Sequence, residues 1–138
     1  HTREEKEVGW EDCWACHTGT PGIQDQYALL LDCAIDGKLS LERVAEVVAE
    51  SPATEFGLGN KGFLRPGFDA DIMIFDPLDT TKYSNDAVLS RCGWTPYDGR
   101  SSQGKIVRTM VRGADVFDNG VVVGVPGWGQ LARPTPFR

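Results

Sequence analysis

The densest cluster of reactive side chains is Cys13-Trp14-Ala15-Cys16-His17. Two thiols separated by two residues and followed by an imidazole form the pattern that attaches haem, with the imidazole ligating iron. The same pair could supply half of a zinc site, since thiolate and neutral imidazole are preferred ligands of that ion. A four-ligand centre would then draw on His17, Cys33 or Cys92, none of which repeats the paired spacing. Haem attachment goes with export, and no export signal accompanies the motif. A redox pair would want a thioredoxin-like strand before it, but the preceding residues are polar and acidic. Thiols packed in a loop are the expected state, with Cys13, Cys16 and His17 as the alternative metal set.

Two further patterns invite chemistry and are set aside. Gly57-Leu58-Gly59-Asn60-Lys61-Gly62 fits the spacing of a dinucleotide fingerprint. That fingerprint lies between a strand and a helix, whereas here the order is reversed, so the glycines are expected to make turns. Asp69, Asp71 and Asp76 flank an apolar run and read as solvated turn residues rather than metal carboxylates. The histidines are His1 and His17, with no His-x-His pair, so this chain alone cannot build a catalytic zinc centre.

The elements that must carry these residues change character near residue 60. Apolar residues at Ile23, Tyr27, Leu30, Leu31, Ala34 and Ile35 make a helical stripe, which Gly37 should end. Ser40 is a good cap for a second helix with Leu41, Val44, Ala45 and Val48 on one face. Ser51-Pro52 is expected to open a third, short helix that Gly57 closes. Beyond it the signals are β: Asp71–Asp76, Ile106–Val111, Val116-Phe117 and Val121–Val123. Asn119-Gly120 between β-branched runs is a strong hairpin signal, and Gly113 should turn the chain just before it. Asp79 to Ser102 is read as a long excursion, and Pro126 to Arg138 as an irregular tail over a surface. The expected architecture is therefore three helices followed by about four antiparallel strands.

Composition narrows the class. The chain has 138 residues, 41% hydrophobic and 25% charged, which is globular rather than disordered. A formal net charge of −6 argues against a nucleic-acid partner held through phosphates. No apolar run approaches the roughly 20 residues that span a bilayer, so no membrane partner and a cytoplasmic location are expected. The first residue is not Met, and His1-Thr2-Arg3-Glu4-Glu5-Lys6 reads like the interior of a longer gene. Free thiols are expected for the four cysteines, because nothing supports an oxidising compartment.

An ordered set of segments resembles the C-terminal portion of the cyclic amidohydrolases, and most of all the dihydroorotases. His1-Thr2-Arg3-Glu4-Glu5-Lys6 resembles the continuation of that family's Asp-His-Ala-Pro-His motif, starting at its second His. A Gly loop (Thr18-Gly19-Thr20-Pro21-Gly22) and a Leu-rich helix (Ala28-Leu29-Leu30-Leu31) follow. Then come Gly37–Arg43, Ser51-Pro52-Ala53, Phe56-Gly57-Leu58, Lys61–Leu64 and Pro66–Asp71. Thr95-Pro96-Tyr97-Asp98-Gly99 and Val111-Arg112-Gly113 resemble the family's last signatures. No single piece is specific, but the order is, and it covers nearly the whole chain.

The resemblance implies an α/β parent, a metal-dependent TIM-barrel hydrolase with a small β-sandwich. Residues 1–60 would be the last barrel loop and helices, and residues 61–138 the C-terminal part of the sandwich. It implies one or two zinc ions in the parent, held by residues preceding this chain, and none bound to this piece. In that family the metal makes a nucleophile of bound water, and a cyclic amide C–N bond is hydrolysed. Dihydroorotate and carbamoyl aspartate would be the pair interconverted, a step of pyrimidine biosynthesis. By the same resemblance His1 would contact the substrate carboxylate, while Thr18 and Gly19 would bind the ring through backbone groups. Thr18 stands where family members often have an aromatic residue, and the Cys-rich approach to it is a second departure. An allantoinase- or hydantoinase-type substrate is the nearest alternative, and a non-catalytic assembly partner is the rival from another class. No catalytic residue is expected in this chain, and alone it should be inactive. Its partners would be a small cyclic amide, the missing N-terminal part of the enzyme, and another copy of itself.

Overall fold

A computed structural model describes residues 1–135. It opens with a short helix absent from the sequence reading, α1 (Arg3–Glu7), followed by a 3-10 turn at Val8–Trp10. The cause is local: the Thr2 hydroxyl accepts from Glu5 N, and the Glu5 carboxylate accepts from Thr2 N at 2.7 Å. Thr and Glu at that spacing satisfy two backbone donors reciprocally.

The expected apolar helix is α2 (Gln26–Ile35). Gly37, at φ 73°, ends it as expected, and Lys38 N returns to Cys33 O at 2.9 Å. That bond closes the helix in the Schellman manner. The buried residues of α2 are Ala28 and Leu31; Ile23 and Tyr27, placed on the apolar stripe, are exposed. Ser40 caps α3 (Leu41–Ala45), its Oγ accepting from Arg43 N at 3.1 Å.

The third helix does not open afresh at Ser51-Pro52. A π turn at Glu46–Glu50 runs directly from α3 into α4 (Ser51–Glu55). Proline inside a helix lacks an N–H and crowds the carbonyl four residues back. The wider π turn just before Pro52 accommodates both defects while the helical path continues.

The strands are β1 (Ile72–Lys82), β2 (Ser101–Val111), β3 (Ala114–Asp118) and β4 (Val121–Val122). They form one antiparallel sheet in the order β1-β2-β3-β4. β1 and β2 are longer than the apolar runs that announced them. Pairing passes Asp76, breaks, and resumes at Thr80, so the excursion begins at Tyr83 rather than Asp79. Pro77 sits in the break, where a residue without an N–H is tolerated. Gln103 Nε2 donates to the carbonyls of Pro77 and Asp79. Opposite Thr80 stand both Gln103 and Gly104, the latter at φ 91°, a bulge with glycine in the left-handed position. The turns behave as the sequence reading expects. Arg112 and Gly113 join β2 to β3, and Asn119 and Gly120 join β3 to β4, all four at positive φ, as two-residue hairpin turns require.

Helix and sheet meet where α2 crosses β2. A Cβ at Gly104 would lie 3.0 Å from Ile35 Cδ1, and Asp32 Oδ1 accepts from Gln103 N at 2.6 Å. The buried apolar set is small: Ala28, Leu31, Val44, Ala53 and Tyr83. Large apolar side chains such as Trp10, Trp14, Ile23, Leu64 and Leu78 stay exposed. The tail is irregular through Pro134 and meets Leu58 in a bridge at Thr135; its final residues, 136–138, lie outside the described part.

Candidate functional site

The capping box that builds α1 also positions the first candidate residue. Glu5 Oε2, held by Thr2 N, lies 3.3 Å from His1 Nδ1. A carboxylate on one imidazole nitrogen sets the tautomer and directs the other nitrogen outward. The opposite end of the loop closes on the same ring. His17 stacks on His1 with centroids 4.3 Å apart and planes within 4°. Lys6 Nζ donates to the His17 carbonyl, and Cys16 Sγ approaches the carbonyls of Lys6 and His17 at 3.8 and 3.5 Å. The loop can close this tightly because residue 9 is glycine: a Cβ there would lie 2.8 Å from both Cβ and Sγ of Cys16.

The loop that carries Thr18 and Gly19 thus reaches His1 through His17. Thr18 and Gly19 follow His17 directly, both exposed, Gly19 at φ 89° with open space on its Cβ side. Cys13 is exposed and Cys16 half-buried, and neither is in a disulfide. Among the described residues no three His, Cys, Asp or Glu side chains gather so as to hold a metal ion. Cys13, Cys16 and His17 do not form such a group in this structure.

Sequence reading missed the groups that fix this loop to the rest of the fold. Trp94 Nε1, from the excursion between β1 and β2, donates to the His1 carbonyl at 3.1 Å. Gln24, just before α2, donates to Ala87 O and accepts from Leu89 N, both at 2.9 Å. Asp25 Oδ2 accepts the Thr95 hydroxyl at 2.5 Å, and Asn85 pairs twice with Asp98 at 2.9 Å. The excursion is thereby an ordered clamp on the loop that leads into α2. The Thr-Glu spacing of the capping box was a usable signal for Glu5. Nothing local announced Trp94.

Asp69 and Asp71, before β1, and Asp76, within it, have partners rather than plain solvent. Lys61 Nζ meets Asp69 Oδ2 at 2.8 Å and Asp71 Oδ2 at 2.5 Å. Asp71 Oδ1 also accepts from Arg112 N, and Asp76 accepts from Leu78 N beside the break in β1. The Lys61 hydrogen bond outweighs desolvation and holds Asp69 below its ordinary pKa. Burial works to lower the Lys61 pKa, but hydrogen bonds to Asp69 and Asp71 leave it raised. Gly57 and Gly62 make turns at positive φ, as expected. A cavity of about 630 Å³ opens between the start of α2, the excursion and the sheet, lined in part by Asp25, Tyr83, Thr95 and Phe117. His1, Thr18 and Gly19 do not line it.

Residues 22–121 match the family model described as "Amidohydrolase family". The dihydroorotase of Halobacterium salinarum is 40% identical over 127 residues, covering 92% of this chain and 29% of that protein. The L-hydantoinase of Paenarthrobacter aurescens is 39% identical over 133 residues, covering 95% of this chain and 29% of that protein. Among solved structures, the D-hydantoinase (dihydropyrimidinase) from Thermus sp. superposes with a TM-score of 0.91 at 29% identity, over 99% of this chain and 30% of that one. The chain thus spans under a third of the length of these relatives. No helix among the described residues is long and apolar enough to cross a membrane. With most of its length matched by the family model and its fold shared with these hydrolases, the chain belongs to the amidohydrolase family.

Proposed function

We propose that this chain is the substrate-reading side of a longer cyclic amide hydrolase whose ring substrate carries a carboxylate, as dihydroorotate does. The observation that supports this is His1: its Nδ1 faces Glu5, its ring face is covered by His17, and its carbonyl is held by Trp94. When protonated, an imidazole fixed in that way has both nitrogens as donors, Nδ1 directed at Glu5 and Nε2 left to donate to an anion. Thr18 and Gly19, which follow His17 on an exposed loop, would offer backbone groups to the ring amide. In this reading residues 1–60 end a barrel and residues 61–138 complete a small sandwich. The apolar side chains left exposed, Trp10, Trp14 and Ile23 among them, would be covered by the rest of the same protein. One or two zinc ions would be held by residues outside this chain, supplying activated water, and the described residues alone should not turn over substrate.

A second reading, an uncharged hydantoin-type ring, is favoured by the likeness to the L-hydantoinase and to the D-hydantoinase structure. A non-catalytic homologue is separated from both by assay. The full-length protein is incubated with dihydroorotate and, separately, with a hydantoin. Ring opening of dihydroorotate supports the proposal. Opening of the hydantoin alone transfers the assignment to the second reading, and no opening of either removes the enzyme reading.

A further inference from the structure

The stacked pair of histidines goes beyond what the resemblance assigns, because the resemblance gives a role to His1 and none to His17. We infer that His17 is a positioning residue for substrate specificity, holding the protonated His1 ring so that its Nε2–H meets the substrate carboxylate. The inference rests on the proposed reading of His1 as the carboxylate-reading residue.

The two rings are parallel within 4° at 4.3 Å, so the plane of His1 is defined by a face as well as by an edge. Glu5 defines the edge, at 3.3 Å from Nδ1. With only the edge contact the imidazole would be free to swing about its hydrogen bond, since His1 is exposed. An added face contact removes that freedom, and binding improves when a recognition group is held beforehand in its bound orientation.

His17 is itself held. Lys6 Nζ binds its carbonyl from α1, the helix that begins two residues after His1. Cys16, its neighbour, packs into the space left by Gly9. The Cys13–His17 segment, so suggestive of haem or zinc, is thereby a strap. It returns the chain to His1, and Thr18 and Gly19 then leave directly from it. A single loop closure arranges both the anion-reading ring and the ring-amide contacts.

The test uses the full-length protein, with His17→Ala and His17→Phe compared to the wild type on dihydroorotate. Alanine removes the ring face, and phenylalanine restores a flat face without ring nitrogens. The expected result is a KM raised about tenfold by His17→Ala, with a smaller change in kcat, and a KM for His17→Phe within about twofold of the wild type. An unchanged KM in His17→Ala, or a loss carried by kcat, would overturn the inference. So would a His17→Phe protein as impaired as His17→Ala. Should His17→Ala fail to fold, His17→Phe decides: a near-wild-type KM sustains the role of the ring face, and a raised KM removes it. A wild type that does not open dihydroorotate overturns the substrate reading, and the inference with it, before any variant is compared. A wild type that opens dihydroorotate while His17→Ala matches it overturns the inference alone.

Discussion

Asp25 and Thr95 meet at 2.5 Å across 70 residues of chain, the carboxylate accepting the hydroxyl. Asp25 is 8% exposed and Thr95 6%, so neither has ready access to water. The pair fastens the start of α2 to the excursion that carries Trp94, and through Trp94 to His1. Removing the hydroxyl with Thr95→Val should cost about 1–3 kcal/mol, because a buried carboxylate loses its partner. Urea unfolding of the wild type and the variant measures this. A difference below about 0.5 kcal/mol would show that the pair contributes nothing to the fold.

Gly62 is a second point of close approach, at the turn between α4 and β1. A Cβ there would lie 2.6 Å from Ala53 Cβ and 2.8 Å from the Ala49 carbonyl, at φ 87°. Gly62→Ala should therefore destabilise by about 2–4 kcal/mol, from overpacking added to a left-handed backbone. Gly67→Ala is the matched comparison, at φ 92° with open space. It should cost only the backbone share, about 1 kcal/mol. Equal losses in the two variants would refute the packing argument.

The pH response of the Lys61 cluster has a definite sign. Asp69 is held below its ordinary value of 3.8, so its contribution is present above about pH 4 and is lost as pH falls through the lower folded value. Lys61 is raised above 10.5, so its contribution is present below that pH and lost as pH rises through the folded value. Lys61→Met should flatten both limbs of the stability-against-pH curve, by no more than about 1 kcal/mol each for so accessible a cluster. Thermal melts from pH 2.5 to 5 and from pH 9 to 11.5 check this. An acid limb as steep in the variant as in the wild type would remove Lys61 as the cause.

Gly9→Ala should displace Cys16, since the added carbon would sit 2.8 Å from its Sγ. In a Cys13→Ser background, which removes the exposed neighbouring thiol, Cys16 should react with a thiol reagent several-fold faster once residue 9 is alanine. An unchanged rate would mean that the loop does not depend on this contact.

What the sequence revealed, and what it concealed, follows the range of the interactions. Ser40, Gly37 and Asn119-Gly120 act within a few residues of themselves, so their caps and turns could be read directly. The Thr2–Glu5 box is equally local, but its segment is polar and short and carries no apolar periodicity to mark a helix. The second half of β1 has no apolar alternation, and its pairing depends on a bulge contributed by Gly104, a residue far along the chain. Trp94 on His1 is a contact across 93 residues that no spacing rule encodes. The site residues were legible only as members of an ordered family pattern. The stacking of His17 on His1 follows from a loop closure that composition does not announce.

In the proposed function, this chain reads a carboxylate through His1. The measurement that tests it most directly is the ratio of kcat/KM for dihydroorotate to that for dihydrouracil, the same ring without the carboxylate, in the full-length protein and its His1→Ala variant. The expected result is a wild-type preference for dihydroorotate of tenfold or more, about 1.4 kcal/mol of discrimination, that His1→Ala abolishes. A wild type that prefers dihydrouracil, or a His1→Ala variant that keeps the preference, would contradict it.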